Sequence, residues 1–246
     1  MINLVVISSL ALISARATIT SIEVLSMLVA SYLYLLCQGL DLRALRCEFF
    51  QSMETILKEE LTTSFSTCLS PSNQSSLYNK IIKTMMHTFD KSTTMDSADQ
   101  MFAVASSSTS ILVDFFERPE YTGDGTSTVP TLSDISTFRT RVSTRLTARH
   151  GELREEFLTR KRGTSPASPY LGRTRGMYEF IRQELGIPMH GSENFRMFTN
   201  GLGVDEPSIG QKISKIYEVS LYRMFSWIAS SLTNFIRLFA MASSML

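Results

Sequence analysis

Apolar residues recur along this chain at spacings of three and four, the period of an amphipathic helix rather than the alternation of a strand. The first block is the longest. Thr20-Ser21-Ile22-Glu23 has the form of a capping box, in which the threonine hydroxyl accepts from the Glu23 amide and the Glu23 carboxylate reaches back. The apolar run that follows, Ile22 to Leu40, predicts a helix continuing past Gly39 to about Phe50. Gly39 costs such a helix about 1 kcal/mol relative to alanine, which burial in a bundle offsets. Helix formers continue over 50–67 (Met53, Ile56, Leu57, Leu61), and Ser70-Pro71-Ser72-Asn73 predicts a turn.

Further helices are expected over Leu77–Phe89, with Tyr78, Ile81, Ile82, Met85 and Phe89 on one face, and over Met101–Phe116 in spite of Ser106-Ser107-Ser108. Arg118 to Pro130 reads as loop. Phe138, Val142, Leu146, Leu153 and Phe157 then form one helical stripe, and Gly163 to Pro169 is a second loop. Thr174–Leu185 predicts a short helix stopped by Gly186 and Pro188. A loop over Met189–Pro207 precedes a last helix starting near Ser208. In the tail, Leu221, Phe225, Ile228, Leu232, Phe235 and Phe239 make one apolar face; with only Arg223 and Arg237 as cations it suits packing on another helix better than a membrane surface. No segment calls for a strand, so the fold class is all-α.

Composition narrows the function classes. The 246 residues, 43% apolar and 19% charged, suffice for a globular core. A net charge of +1 gives no global field for nucleic acid or acidic membranes. Cys37, Cys47 and Cys68 form no CxxC pair and fit a reducing, cytoplasmic compartment. Met1 to Ala17 imitates a secretory signal but has no Lys or Arg before Arg16. Ile22–Leu40 approaches the length of a membrane span but contains Glu23, Ser26, Ser31 and Gln38, and its apolar character is better explained by burial at the centre of a bundle.

Tempting constellations each have a plainer reading. Arg139, Arg141, Arg145, Arg149, Arg154, Arg160, Lys161 and Arg162 are interrupted by Glu152, Glu155 and Glu156, and read as the solvated side of a helix rather than a nucleic-acid face. Gly123-Asp124-Gly125 and Gly201-Leu202-Gly203 lack the strand-to-helix context and the lysine of a phosphate loop. His87, His150 and His190 are too far apart for zinc spacing, and His190 has no acidic partner at a fixed offset. Ser106-Ser107-Ser108 near Asp114 assembles no nucleophile set.

Several separated motifs carry a resemblance. Ser9-Leu10-Ala11-Leu12-Ile13-Ser14-Ala15-Arg16 leads into the run ending Tyr32-Leu33-Tyr34-Leu35-Leu36-Cys37-Gln38-Gly39-Leu40-Asp41-Leu42-Arg43-Ala44-Leu45. Gly172-Arg173-Thr174-Arg175 follows, then Tyr178-Glu179-Phe180-Ile181-Arg182, Leu185-Gly186-Ile187-Pro188 and Ile209-Gly210-Gln211 to Ile216-Tyr217-Glu218. In this order they resemble the C-terminal part of fungal phenylalanine ammonia-lyases, over residues 9 to about 224.

The resemblance implies an all-α subunit, with long core helices of a homotetramer bundle and a helical shielding region over the active-site entrance. Residues 1–50 would be a remnant of the central helical core, 51–170 the shielding region, 171–224 the C-terminal helices with their connecting loop, and 225–246 a divergent amphipathic tail. The implied reaction eliminates ammonia from phenylalanine or tyrosine to give a cinnamate. Its electrophile is methylidene-imidazolone, made from Ala-Ser-Gly, and a tyrosine is the base. No Ala-Ser-Gly occurs in the 246 residues, and the positions of the family's Glu, Asn and Gln align with Met1, Leu4 and Val5, which can neither take a proton nor donate a hydrogen bond from their side chains. The expectation is therefore a scaffold, inactive as an isolated chain, with no catalytic, cofactor-binding or metal-binding residue of its own. It would join copies of itself or full-length ammonia-lyase subunits as a helical interaction partner, and bind neither nucleic acid nor membrane.

Overall fold

The chain is described by a computed structural model over residues 2–66, 68–69, 71–117, 130–191 and 207–219. Helix α1 spans Ile2–Phe65, α2 Pro71–Lys91, α3 Ser97–Ser106, α4 Thr109–Phe116 and α5 Leu132–Leu158. A 3-10 turn, Ser168–Tyr170, precedes α6, Arg175–Glu179, which runs on into one π turn, Phe180–Glu184. A last helix, α7, covers 209–219. No strand occurs among the described residues.

Two compact units result: Arg43–Phe157, and Met1–Leu42 with Leu158–Leu246. Both contain part of α1. Within a continuous helix neither glycine nor proline marks a change of neighbours.

The Arg43–Phe157 unit is built on stripes. α1 contributes Phe49, Met53, Leu57, Leu61 and Phe65, one residue per turn, all within 1% of full burial. Facing it in the same cluster are Leu77, Ile81 and Met85 of α2, Met101 and Val104 of α3, Leu112 and Phe115 of α4, and Ile135, Phe138, Val142, Leu146 and Leu153 of α5. The Phe65 ring lies 5.4 Å from Phe138 and 5.3 Å from Phe116. Each such side chain contributes about 1.5–3 kcal/mol by leaving water.

Several local expectations are corrected. Thr20 caps nothing: α1 already runs from Ile2, and the hydroxyls of Thr18 and Ser21 donate to the carbonyls of Ser14 and Ala17, both at 2.9 Å. A capping signature inside a longer helical run is spent on the preceding turn. Pro71 opens α2 instead of sitting in a turn, since the first helical position needs no N–H. The expected helix Met101–Phe116 divides into α3 and α4. There Ser107 Oγ donates to the Val104 carbonyl at 2.7 Å and Ser108 Oγ to the Ala105 carbonyl at 2.6 Å. Two capping boxes form elsewhere. Thr131 Oγ1 accepts from the Asp134 amide at 3.3 Å while the Asp134 carboxylate accepts from the Thr131 amide at 2.8 Å. Ser208 and Gln211 exchange the same pair of bonds at 3.3 and 2.7 Å.

The largest departure concerns Ile22–Leu40. Its expected burial holds on one face only, at Ala30, Tyr34 and Cys37; Val24, Leu25, Leu28, Tyr32, Leu35 and Leu36 stand exposed in the single chain. α1 carries an apolar window long enough to cross a bilayer, of which 11% is buried. A straight helix offers one stripe to its own chain, and this sequence is apolar on more than one. The tail stripe of Leu221 to Phe239, and both Gly-x-Gly turns, lie outside the described residues.

Replacing Phe65 by Ala removes a ring packed on two others and leaves a cavity. The expected cost is about 3–5 kcal/mol, read as a lower urea midpoint for Arg43–Phe157 by helical circular dichroism.

Candidate functional site

Tyr34, Cys37 and Asp41 follow at spacings of three and four, so one face of α1 ends in a carboxylate. Asp41 is fully buried within its unit. A buried carboxylate must find donors, and α6 with its π turn brings them. Tyr178 and Arg182, four residues apart, reach the same carboxylate: the Tyr178 hydroxyl donates to Oδ1 and Arg182 Nη2 donates to Oδ2 at 2.5 Å. Both donors are buried.

Arg182 also closes the turn that follows. Its Nη1 donates to the carbonyls of Ile187 and Pro188 at 3.0 and 2.7 Å. Gly186, at φ 65°, supplies the left-handed residue that reverses the chain. The π turn is closed by the Leu185 amide donating to the Phe180 carbonyl at 2.9 Å. From the 3-10 side, the Ala167 amide donates to the Tyr178 hydroxyl at 3.1 Å. Gln38 clamps the far end: its Nε2 donates to the His190 carbonyl at 3.2 Å and its Oε1 accepts from the His190 amide at 2.8 Å.

Burial pushes the Asp41 carboxyl above its ordinary range, against the pull of Arg182 and the hydrogen bonds from Tyr178 and Arg182. Tyr178 is raised by burial and then by its hydrogen bond to Asp41. Burial carries the Cys37 thiol up to about 11, with Arg182 opposing. Tyr178 and Cys37 are thus held protonated at neutral pH, away from solvent. The group holds residues 167–190 on α1; a phenol and thiol in this state supply neither base nor nucleophile.

The other polar concentration lies in the Arg43–Phe157 unit. Arg145 donates to Glu59 at 2.5 Å and to Glu60 at 2.9 Å, and Arg149 reaches Ser52 at 3.2 Å and Glu152 at 3.2 Å. Arg139 stacks 5.2 Å from the Phe102 ring. A groove of about 500 Å³ beside these pairs is lined by Glu60, Ser136, Thr137, Thr140, Arg141, Thr144 and Arg145. The hydroxyls of Thr140 and Thr144 are spent on the carbonyls four residues back. Arg139, Arg145 and Arg149, read from the sequence as part of a solvated face, therefore pair, stack or hydrogen-bond within the fold.

The remaining candidates separate. His150 Nδ1 lies 3.2 Å from Ser97 Oγ and its ring is edge-on to Phe49 at 5.0 Å. His190 is held through its main chain, and His87 is exposed. No group of three metal-ligating side chains occurs among the described residues. Sequence reasoning missed the Asp41–Tyr178–Arg182 group as a unit. Its signals were an acid ending an apolar stripe, and a Tyr-x-x-x-Arg pair on one helical face.

Two outcomes follow. Arg182→Met leaves Asp41 buried without its cation and should cost about 3–5 kcal/mol, read as lost amide-exchange protection over 175–190. His150 has its pKa lowered, first by burial and then by Arg154. The unfolded chain therefore binds the proton more readily, so the contribution is present above about pH 6.5 and is lost as pH falls through the folded value. Denaturation midpoints of the wild type should drop across that window, and those of His150→Phe should drop less.

No family model matches the chain. Among curated proteins it is 49% identical over 212 residues to a phenylalanine ammonia-lyase of Flammulina velutipes, covering 86% of this chain and 28% of that protein. It is 50% identical over 212 residues to a phenylalanine ammonia-lyase of Strobilurus tenacellus, covering 86% and 29%. Against a phenylalanine/tyrosine ammonia-lyase of Rhodotorula toruloides it is 30% identical over 214 residues, covering 86% and 28%. A crystal structure of phenylalanine ammonia-lyase from the yeast Rhodosporidium toruloides superposes with a TM-score of 0.71 at 27% identity, over 85% of this chain and 30% of the other. The chain spans under a third of the length of the relatives it matches.

Proposed function

We propose, for a chain homologous to one segment of the fungal phenylalanine ammonia-lyases, that it supplies helical framework for an aromatic amino-acid ammonia-lyase and none of the reacting groups. The reaction served is elimination of ammonia from L-phenylalanine, or from tyrosine, to give trans-cinnamate or coumarate. Identity near one half over 86% of the chain supports this reading. The electrophile that the family builds from Ala-Ser-Gly has no counterpart in these 246 residues, which contain no such tripeptide. The described ionisable groups do not fit the chemistry either. Tyr178 meets the Asp41 carboxylate, and it is buried in that network with its proton held. No step of the elimination is assigned to it.

A second reading rests on one observation, the exposed apolar faces of α1 at Val24, Leu25, Leu28, Tyr32, Leu35 and Leu36. A helix held on one side and apolar on others suits being surrounded by further helices. The chain then acts as a non-catalytic partner that self-associates or joins intact lyase subunits, in a reducing, cytoplasmic setting suited to its three cysteine thiols.

One preparation separates these readings. The purified chain, given phenylalanine or tyrosine, should form no cinnamate or coumarate by absorbance; sustained turnover would overturn the framework proposal. Co-expressed with an intact lyase, it should co-purify with it, and Leu28→Glu should weaken that association. Absence of both co-purification and self-association rejects the partner reading while leaving the turnover result standing by itself.

A further inference from the structure

Between α5 and the 3-10 turn the chain reads Arg160-Lys161-Arg162-Gly163-Thr164-Ser165-Pro166-Ala167-Ser168-Pro169. Arg160 and Gly163 adopt φ values of 60° and 88°, and the Gly163 amide donates to the Arg160 carbonyl at 2.9 Å. This tight turn presents three consecutive cations, all exposed, followed by exposed Gly163 and Thr164. Ser165 is half-buried, and its Oγ accepts from Gln183 Nε2 at 2.6 Å in a bond at the surface.

Three hydroxyls compete for any modifying enzyme here. Ser168 precedes Pro169, but its Oγ is shut off from solvent. Thr164 is exposed and is followed by Ser165, not proline. Only Ser165 combines a surface hydroxyl, a proline directly after it, and arginines three and five residues before it.

We infer that Ser165 is a phosphorylation site for a proline-directed serine/threonine kinase. The residue before a proline is biased to extended backbone, the form in which a kinase groove takes its substrate. The proline ring offers no N–H, which selects enzymes whose adjoining pocket is apolar and needs no donor. The preceding cations steer the segment toward the acidic surface of such a groove. In the transfer, Ser165 Oγ attacks the γ-phosphorus of a nucleoside triphosphate. The new O–P bond forms as the bond from that phosphorus to the β-bridging oxygen breaks. The nucleoside diphosphate leaves, and the serine proton passes to the kinase's aspartate.

The product carries a charge of about −1.5 to −2 on a loop with basic residues immediately upstream. Gln183 Nε2 remains a donor for the new oxygens. Two residues on, the Ala167 amide is bonded to Tyr178, whose hydroxyl meets Asp41. The modification thus lands beside the strut that holds residues 167–190 on α1.

The test incubates the full chain with ATP and either a proline-directed or an arginine-directed kinase, with phosphopeptides mapped by mass spectrometry. Expected is a single phosphoryl group on Ser165 from the proline-directed enzyme. Ser165→Ala should abolish it, Ser165→Thr should retain it, and Pro166→Ala should slow it by at least about tenfold. Folding of Ser165→Ala is checked by its circular dichroism. Labelling at Thr164 or Ser168 instead, labelling only by the arginine-directed kinase, or no incorporation while a free peptide of residues 158–170 is phosphorylated, each overturns the assignment.

Discussion

Asp41 is a carboxylate with no access to water, and the segment from Ala167 to His190 is arranged around that fact. Buried charge is tolerated only when paired and hydrogen-bonded. Here one oxygen takes the Tyr178 hydroxyl and the other the Arg182 guanidinium, which also ties down the carbonyls of Ile187 and Pro188. Other elements of the segment bear on this contact. Spacing of four between Tyr178 and Arg182 aims both at one acid, the π turn and Gly186 reverse the chain under the guanidinium, and Gln38 holds the far end through His190.

Such a group is easily mistaken for a reacting centre, because it contains an acid, a phenol, a guanidinium and a nearby thiol. Its physical state argues otherwise. The phenol and thiol are raised by burial, so each keeps its proton. The phenol's hydrogen bonds are to other protein groups, the Ala167 amide and the Asp41 carboxylate. Specific geometry of this kind buries polar atoms in order to fix one docking register, which an apolar patch alone leaves loose. The exposed faces of α1 between Val24 and Leu36 follow the opposite logic, being predominantly apolar. That combination, one face committed and others greasy, suits a helix taken from the interior of a larger helical body, and the relatives are more than three times the length of this chain.

Much of the fold was legible because amphipathic periodicity is a local property. The stripe Phe138, Val142, Leu146, Leu153 and Phe157 marks α5 and becomes its buried face, as Ile81 and Met85 do for α2. Gly186 and Pro188 end the short helix where a left-handed residue and a missing N–H dictate. Local signals failed where two local explanations competed. Thr20-Ser21-Ile22-Glu23 is a sound cap only if a helix starts there, and α1 starts earlier. The serine run at 106–108 reads as the interior of one helix, but the hydroxyls of Ser107 and Ser108 bond the carbonyls three residues back. The arginines of α5 read as solvated; Arg145 instead bridges Glu59 and Glu60 of α1, residues more than eighty positions away.

By itself the sequence determined the helical class, the faces that could be buried and the family likeness, because side-chain spacing, capping chemistry and motif order are written along the chain. Only the tertiary structure decided which apolar face of α1 this chain covers, and that Asp41, Tyr178 and Arg182 meet. Those outcomes depend on segments about 140 residues apart reaching one another. Periodicity tells which side chains want to leave water, but desolvating an acid and a guanidinium together requires both to arrive at one place, and only the folded chain fixes that place.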